Sequence, residues 1–214
     1  MVELSILLFF LGLFFGSFFL VVIDRLPKQV SPLTGRSKCD HCGHTVAGID
    51  LIPVFSYART GGRCRYCHHT LSLFYPGVEL VTALLFGLSP MLLTYRLTTP
   101  GMYLLELVYI LFVLAVFIIV FLIDLKYGLI PFVILIPSSV ITLMYLVITQ
   151  PLLVLPHLFS ALGAGGFFFL IYFLTKGRGM GFGDVVLAFF LGLLLGFPGI
   201  VIALYAAFLT GAVV

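Results

Sequence analysis

The sequence predicts an all-α, polytopic membrane helix bundle that carries one small loop domain. Three observations predict it. Of the 214 residues, 62% are hydrophobic and 9% charged, whereas soluble domains carry about 25% charged residues. Five apolar runs, 2–23, 71–95, 102–123, 130–148 and 152–174, reach or approach the roughly 20 residues that cross hydrocarbon. All four cysteines fall in one polar segment, 24–70, the only sizeable one. Two shorter runs, 185–197 and 200–214, bring the expectation to about seven transmembrane helices, the last shorter than a full span. The expected division is a first membrane helix at 1–23, a four-cysteine domain at 24–70 and a membrane core at 71–214.

The first run lacks a basic leader and a small-x-small cleavage site, so it reads as an anchor and not as a signal peptide. Arg25 and Lys28 follow it, which sets its N-terminus outside. Counting spans from there, segments 24–70, 124–129 and 175–184 face the cytoplasm. They hold Arg25, Lys28, Arg36, Lys38, Arg59, Arg63, Arg65, Lys126, Lys176 and Arg178, leaving only Arg96 of the eleven basic residues outside. A net charge of +3, clustered beside the bilayer, suits orientation and anionic headgroups. No soluble basic domain remains, so nucleic acid is not an expected partner. The lipid bilayer is. Oligomeric state is not set by the sequence.

In the first run, Gly12, Gly16 and Ser17 have the small-residue spacing of close helix packing. Asp24-Arg25-Leu26-Pro27 ends it, since proline cannot continue a helix. The cysteines then come as Cys39-Asp40-His41-Cys42 and Cys64-Arg65-Tyr66-Cys67. Two C-x-x-C knuckles at this separation fit a four-thiolate zinc site. Two disulfides are the competing reading, disfavoured on a reducing face and by the strain of so short a loop. With four thiolates filling a tetrahedron the zinc is structural, and His41, His44, His68 and His69 are solvated or lie around it.

The second run opens with Tyr75-Pro76-Gly77 and contains Glu79, which must face protein or water. Its expected partner is an arginine of the cysteine segment or a substrate. Glu106 is expected at the outer interface, and His157 in a local packing or hydrogen-bonding role. Two aspartates remain. Asp124 closes the run 102–123, and Asp184 ends the turn Gly179-Met180-Gly181-Phe182-Gly183-Asp184 just before the run 185–197. Both fall on the expected cytoplasmic side. A carboxylate at the edge of a membrane helix marks a functional site. Lying at opposite ends of helix dipoles, the two can divide acid and base roles, Asp184 as the base that activates water and Asp124 as the acid. Gly181 and Gly183 leave room for an extended peptide to approach. The plainer reading makes Asp184 a helix N-cap and Asp124 a partner of Lys126.

Taken in order, these motifs resemble the type IV prepilin peptidases, within the G-x-G-D class of intramembrane aspartyl proteases. The likeness runs through Gly16-Ser17-Phe18, Arg25-Leu26-Pro27, the two knuckles and Ile52-Pro53-Val54-Phe55-Ser56-Tyr57. It continues through Tyr75-Pro76 with Glu79, Asp124 with Ile130-Pro131, and the glycine turn with Asp184. Leu20, Phe132 and Val186 depart from the family's pattern, where asparagine, a polar residue and lysine are usual. The resemblance implies a bacterial inner-membrane endopeptidase that removes the basic leader of type IV prepilins or type II secretion pseudopilins at the cytoplasmic face. It implies N-methylation of the new terminus with S-adenosylmethionine, Asp124 and Asp184 as the catalytic pair, and Cys39, Cys42, Cys64 and Cys67 as zinc ligands. Two alternatives stand beside it: a membrane metal-handling protein, and a non-catalytic pilus-assembly subunit. The first needs ligands deep in the bilayer, and the runs between 102 and 197 offer almost none.

Overall fold

The computed structural model describes residues 2–93 and 100–211. Arg96 and the ends of the runs 71–95 and 200–214 lie outside the described residues. Regular structure among the described residues is helical: α1 (Val2–Arg25), α2 (Phe55–Arg59), α3 (Phe74–Leu93), α4 (Pro100–Tyr127), α5 (Phe132–Thr149), α6 (Val154–Leu174) and α7 (Phe182–Gly211). Two isolated β-bridges, Lys38–Thr45 and Arg63–Thr70, lie in the segment after α1. All but α2 are long and apolar enough to cross a membrane. The chain is a multi-pass membrane protein built as two compact units, Met1–Leu122 and Ile123–Val214.

The first unit is built on α1 against α3. Lipid is as apolar as leucine, so membrane helices gain by close approach and not by burying side chains from water. Glycine supplies that approach. A Cβ on Gly12 would lie 2.6 Å from the Ala83 Cα, and one on Gly16 would lie 2.8 Å from the Glu79 Cα. From the other side, Gly87 of α3 receives Phe9 and the Ser5 carbonyl. The expected close-packing role of Gly12 and Gly16 is therefore met. Pro90 inside α3 leaves the Phe86 carbonyl without its helical donor, and the Ser89 hydroxyl donates to it at 2.7 Å. Glu106, expected at the interface, is instead buried, at 7% exposure. It lies nearly two turns into α4, on a face turned toward protein.

The second unit joins α5 and α6 to α7. Gly192 brings α7 onto the Ala161 backbone and Gly165 receives Phe189, so the first arm of α7 runs antiparallel to α6. At Gly196 (φ 61, ψ −175) and Phe197 (φ −88, ψ 139) the helical path breaks. Ala188 and Ile200 then share one cluster with Ala164, although a continuous helix would hold them about 18 Å apart. The chain has doubled back. Beyond the break Phe168 stacks on Phe208 at 6.2 Å, so the second arm runs parallel to α6. His157 makes the corner tenable: its Nδ1 donates to the Leu193 carbonyl at 2.8 Å, an acceptor orphaned where the helix stops. The runs 185–197 and 200–214 are thus two arms of one bent element. Six long elements, the sixth bent double, stand where about seven separate spans were expected.

The glycine seams give a direct test. Gly192→Ala drives a Cβ into the backbone of Ala161 and should cost on the order of 1–3 kcal/mol. Gly163, with nothing within 4 Å of its would-be Cβ, should accept alanine with a gain of up to about 1 kcal/mol in helix propensity. Thermal unfolding of the two variants in detergent should move the midpoint in opposite directions.

Candidate active site and metal centre

The two knuckles are near copies of one another. In each, the first cysteine's N–H bonds the carbonyl five residues on, Cys39 to His44 at 3.0 Å and Cys64 to His69 at 2.9 Å. In each, the N–H four residues on returns to that cysteine, Gly43 to Cys39 and His68 to Cys64, both at 2.9 Å. This return bond needs a left-handed residue, at Gly43 (φ 68) and again at His68 (φ 56). The rings cross between knuckles in matching pairs. His41 stacks on His69 at 4.4 Å, and His44 meets Tyr66 at 3.7 Å. The four histidines are exposed.

The four Sγ atoms lie within 4.8 Å of one another, with Cys39 and Cys67 at 3.9 Å. Metal–sulfur arms of about 2.3 Å give a tetrahedron with edges near 3.8 Å, so the cluster suits a single tetrahedral ion. Such a spacing is no disulfide, which needs about 2.05 Å. The backbone prepares the set for charge. The N–H groups of Cys67 and Tyr66 lower the Cys64 thiol to about 7. The Cys67 thiol receives the His69 N–H, but burial and the neighbouring sulfurs carry it to about 11. A bound cation would favour the thiolate at both.

Arg25 and Tyr75 tie this segment to the helices of its unit, and Tyr57 closes it on itself. Arg25 at the end of α1 donates to the carbonyls of Ser31, Thr34 and Arg36. Tyr75 in the first turn of α3 donates to Asp40 at 3.4 Å. Tyr57 of α2 lies over Gly62 and donates to the Leu71 carbonyl at 3.2 Å. Arg65 pairs with Asp50 at 2.7 Å, not with Glu79. The buried Glu79 takes the backbone N–H of Val54 at 2.7 Å and a hydrogen bond from the Ser17 side chain, so its partners are a main-chain donor and a hydroxyl, and no arginine. Sequence reasoning named neither Arg25 as a clamp nor Val54 as a partner. The repeated Cys-x-x-Cys-x-His-Thr pattern was the one signal that could have exposed the crossed rings.

In the second unit, Asp184 occupies the third position of α7. Its Oδ2 accepts the Gly181 N–H at 3.0 Å, and its own N–H donates to the Gly181 carbonyl at 3.2 Å. This is the returning half of a capping box, so Gly181 is the cap residue and Asp184 reaches back to it. Asp184 is half-buried and Asp124, in the last turn of α4, is exposed. Gly128 closes that helix, its N–H bonding the Asp124 carbonyl at 2.7 Å. The following Ile130 seats on Gly183, where a Cβ would stand 2.6 Å away. Phe132 meets Phe182 edge-on at 5.8 Å. A loop of about six residues from Asp124 therefore ends against the residue preceding Asp184. The two glycines differ in surroundings: Gly183 is packed and Gly181 is exposed. Lys126 lies over the Tyr127 ring at 5.4 Å.

Fold and site together define a membrane protein with a cluster of four cysteines able to hold a metal ion and two carboxylates at helix ends. Residues 10–93 match the Bacterial Peptidase A24 N-terminal domain, and residues 110–214 match the Type IV leader peptidase family. A prepilin leader peptidase/N-methyltransferase of Bacillus subtilis (strain 168) is 33% identical over 210 residues, 96% of this chain and 79% of that protein. One from Aeromonas salmonicida (strain A449) is 30% identical over 236 residues, covering 97% and 78%. One from Myxococcus xanthus (strain DK1622) is 46% identical over 82 residues, 38% of this chain and 24% of its own length. No solved structure matches. The chain belongs to the type IV leader peptidase family.

Breaking the four-cysteine cluster should loosen one segment and spare the rest. After chelation, or in Cys39→Ser with Cys64→Ser, trypsin should gain cuts at Arg36, Arg59, Arg63 and Arg65, while cutting at the exposed Lys176 and Arg178 stays unchanged. Mass spectrometry of the fragments reads the result.

Proposed function

We propose that this chain is an aspartyl endopeptidase that removes the basic leader of a prepilin or pseudopilin, with Asp124 and Asp184 as its catalytic pair. The observation that carries the reading is the seating of Ile130 on Gly183, which draws the two aspartate-bearing helix ends toward one place. The names of the relatives supply the substrate class. In this reading Asp184 takes a proton from a water molecule, and the hydroxide attacks the scissile carbonyl. Asp124 donates a proton to the carbonyl oxygen, and collapse of the tetrahedral intermediate passes a proton to the leaving amine. The Gly181–Asp184 bond fixes one carboxylate oxygen and leaves the attack geometry to the other. The exposed Gly181 is the place for an extended substrate backbone.

The basic residues orient the chain with segments 24–70, 124–129 and 175–184 on the cytoplasmic side of a bacterial inner membrane. The ion held by Cys39, Cys42, Cys64 and Cys67 is zinc. When bound it closes a tetrahedron and supplies rigidity in place of a core. The relatives' names include N-methyltransferase, and S-adenosylmethionine is the donor such a step would use.

Membranes carrying the protein, incubated with a prepilin, should release the leader. Asp124→Asn and Asp184→Asn should each slow release on the order of 10²–10⁴-fold, at unchanged abundance. The pH–rate profile should carry two interacting acidic limbs. Normal cleavage by both variants would sink the assignment.

A further inference from the structure

Part of the segment between α1 and α3, expected to lie outside the bilayer, sits at membrane depth. The register of the antiparallel pair fixes the depth: Gly87 meets Phe9, Gly12 meets Ala83 and Gly16 meets Glu79. From Gly16, α1 continues without charge, and with Ser17 as its one polar residue, through Ile23 before its first charges, Asp24 and Arg25. The level of Glu79 therefore lies about seven residues, or roughly 10 Å, inside those charges at 1.5 Å per residue. Side chains near this level are apolar and exposed: Phe15 and Phe18 of α1 and Leu80 and Val81 of α3.

The turn at Val54 is bonded at this level, through its N–H to Glu79. Its backbone suits the setting, since hydrocarbon leaves no water to satisfy polar groups. Pro53 has no N–H. Phe55 donates to the Pro53 carbonyl at 2.5 Å, Ser56 to Ile52 at 3.0 Å and Ala58 to Val54 at 3.0 Å. Val54 itself holds φ 59, an uncommon conformation for a β-branched residue that an outside tether must maintain. No charge occurs from Leu51 to Ala58. Leu51, Ile52 and Phe55 are 45%, 40% and 55% exposed, an apolar face left partly open by the described residues. Arg59 follows at once, where a headgroup phosphate would meet it.

We propose that residues 51–58 form a shallow re-entrant turn that inserts Leu51, Ile52 and Phe55 among the lipid acyl chains just beneath the headgroups, with Glu79 as its tether. The occupant of this face is the bilayer. Depth, outward apolar side chains, the bonded N–H groups of Val54, Phe55, Ser56 and Ala58 and the missing charge all favour lipid over a water-borne partner. The inference needs only α1 and α3 as membrane helices and does not depend on the catalytic reading.

The chain contains no tryptophan, so one introduced indole reports its own surroundings. Phe55→Trp in full-length protein, reconstituted in phosphatidylethanolamine/phosphatidylglycerol vesicles, should emit to the blue of Leu33→Trp, a site 82% exposed. Its quenching by aqueous iodide should be severalfold smaller. Lipids with a nitroxide high on the acyl chain should quench it more than lipids labelled near the chain end, whereas Phe10→Trp, at an exposed site about 9 Å further along α1, should show the reverse order. Adding Glu79→Leu should shift Phe55→Trp to the red and raise iodide quenching toward the Leu33→Trp value, while Glu79→Gln, which keeps an acceptor, should not. Ile52→Trp replaces Phe55→Trp if the latter loses its helical circular dichroism. Iodide quenching equal to that of Leu33→Trp overturns the proposal. So does protection from iodide without quenching by lipid, which would mean a protein surface covers the turn.

Discussion

Backbone-to-backbone contact across glycine is the interaction on which the rest of this structure depends. In water, α1 and α3 could pair by burying leucine and phenylalanine, but in lipid that exchange gains little. What remains is dispersion at short range, and that requires helices without intervening side chains. Gly12 and Gly16 provide it in the first unit, Gly165 and Gly192 in the second. Such contacts also fix register. A slip of one turn would replace a hydrogen atom by a side chain against a neighbouring main chain. Everything carried on these helices inherits its height from the seam, including Glu79 beside Gly16.

That inheritance separates what the sequence announces from what it withholds. Long apolar runs announce spans because composition alone distinguishes them, and the knuckles announce a metal site because cysteine spacing is itself geometry. The break before Pro198 shows as an interruption between two runs, yet no pattern says that the second arm folds back beside Ala164. Glu79 stands out as a carboxylate within a span, but besides the Ser17 side chain it takes the N–H of Val54. Every residue except proline owns such a group, so side-chain identity cannot name it. Glu106 fails to show for a different reason. In α4 nearly every position is apolar, and helical periodicity carries information only when polar and apolar positions alternate.

The cysteine segment solves a problem of size. Some forty residues cannot enclose enough apolar surface to offset their conformational entropy. Cross-links must replace the core. The proposed ion on the four cysteines would supply one at the centre, and the paired rings His41–His69 and His44–Tyr66 lock the knuckles across it. The remaining freedom is removed from below, where Arg25, Tyr57, Tyr75 and Glu79 each grip main chain or a carboxylate of the segment. Three of these four belong to membrane helices, so the segment is fastened to the glycine-set pair more than to itself.

Helix ends are the natural place for a proposed hydrolytic pair in such a protein. Within a span every main-chain group is bonded to its own helix and water has no reason to enter. At a terminus the last carbonyls and first N–H groups are unpaired, and water or a polar side chain must meet them. Asp184 already answers one such donor, at Gly181, and Asp124 stands where the carbonyls of α4 run out. A carboxylate in mid-span would need to bring its own water through hydrocarbon. One at the end of a helix shares the water that the backbone itself demands, and it can lie just within the apolar layer without being sealed from the solvent that peptide hydrolysis consumes.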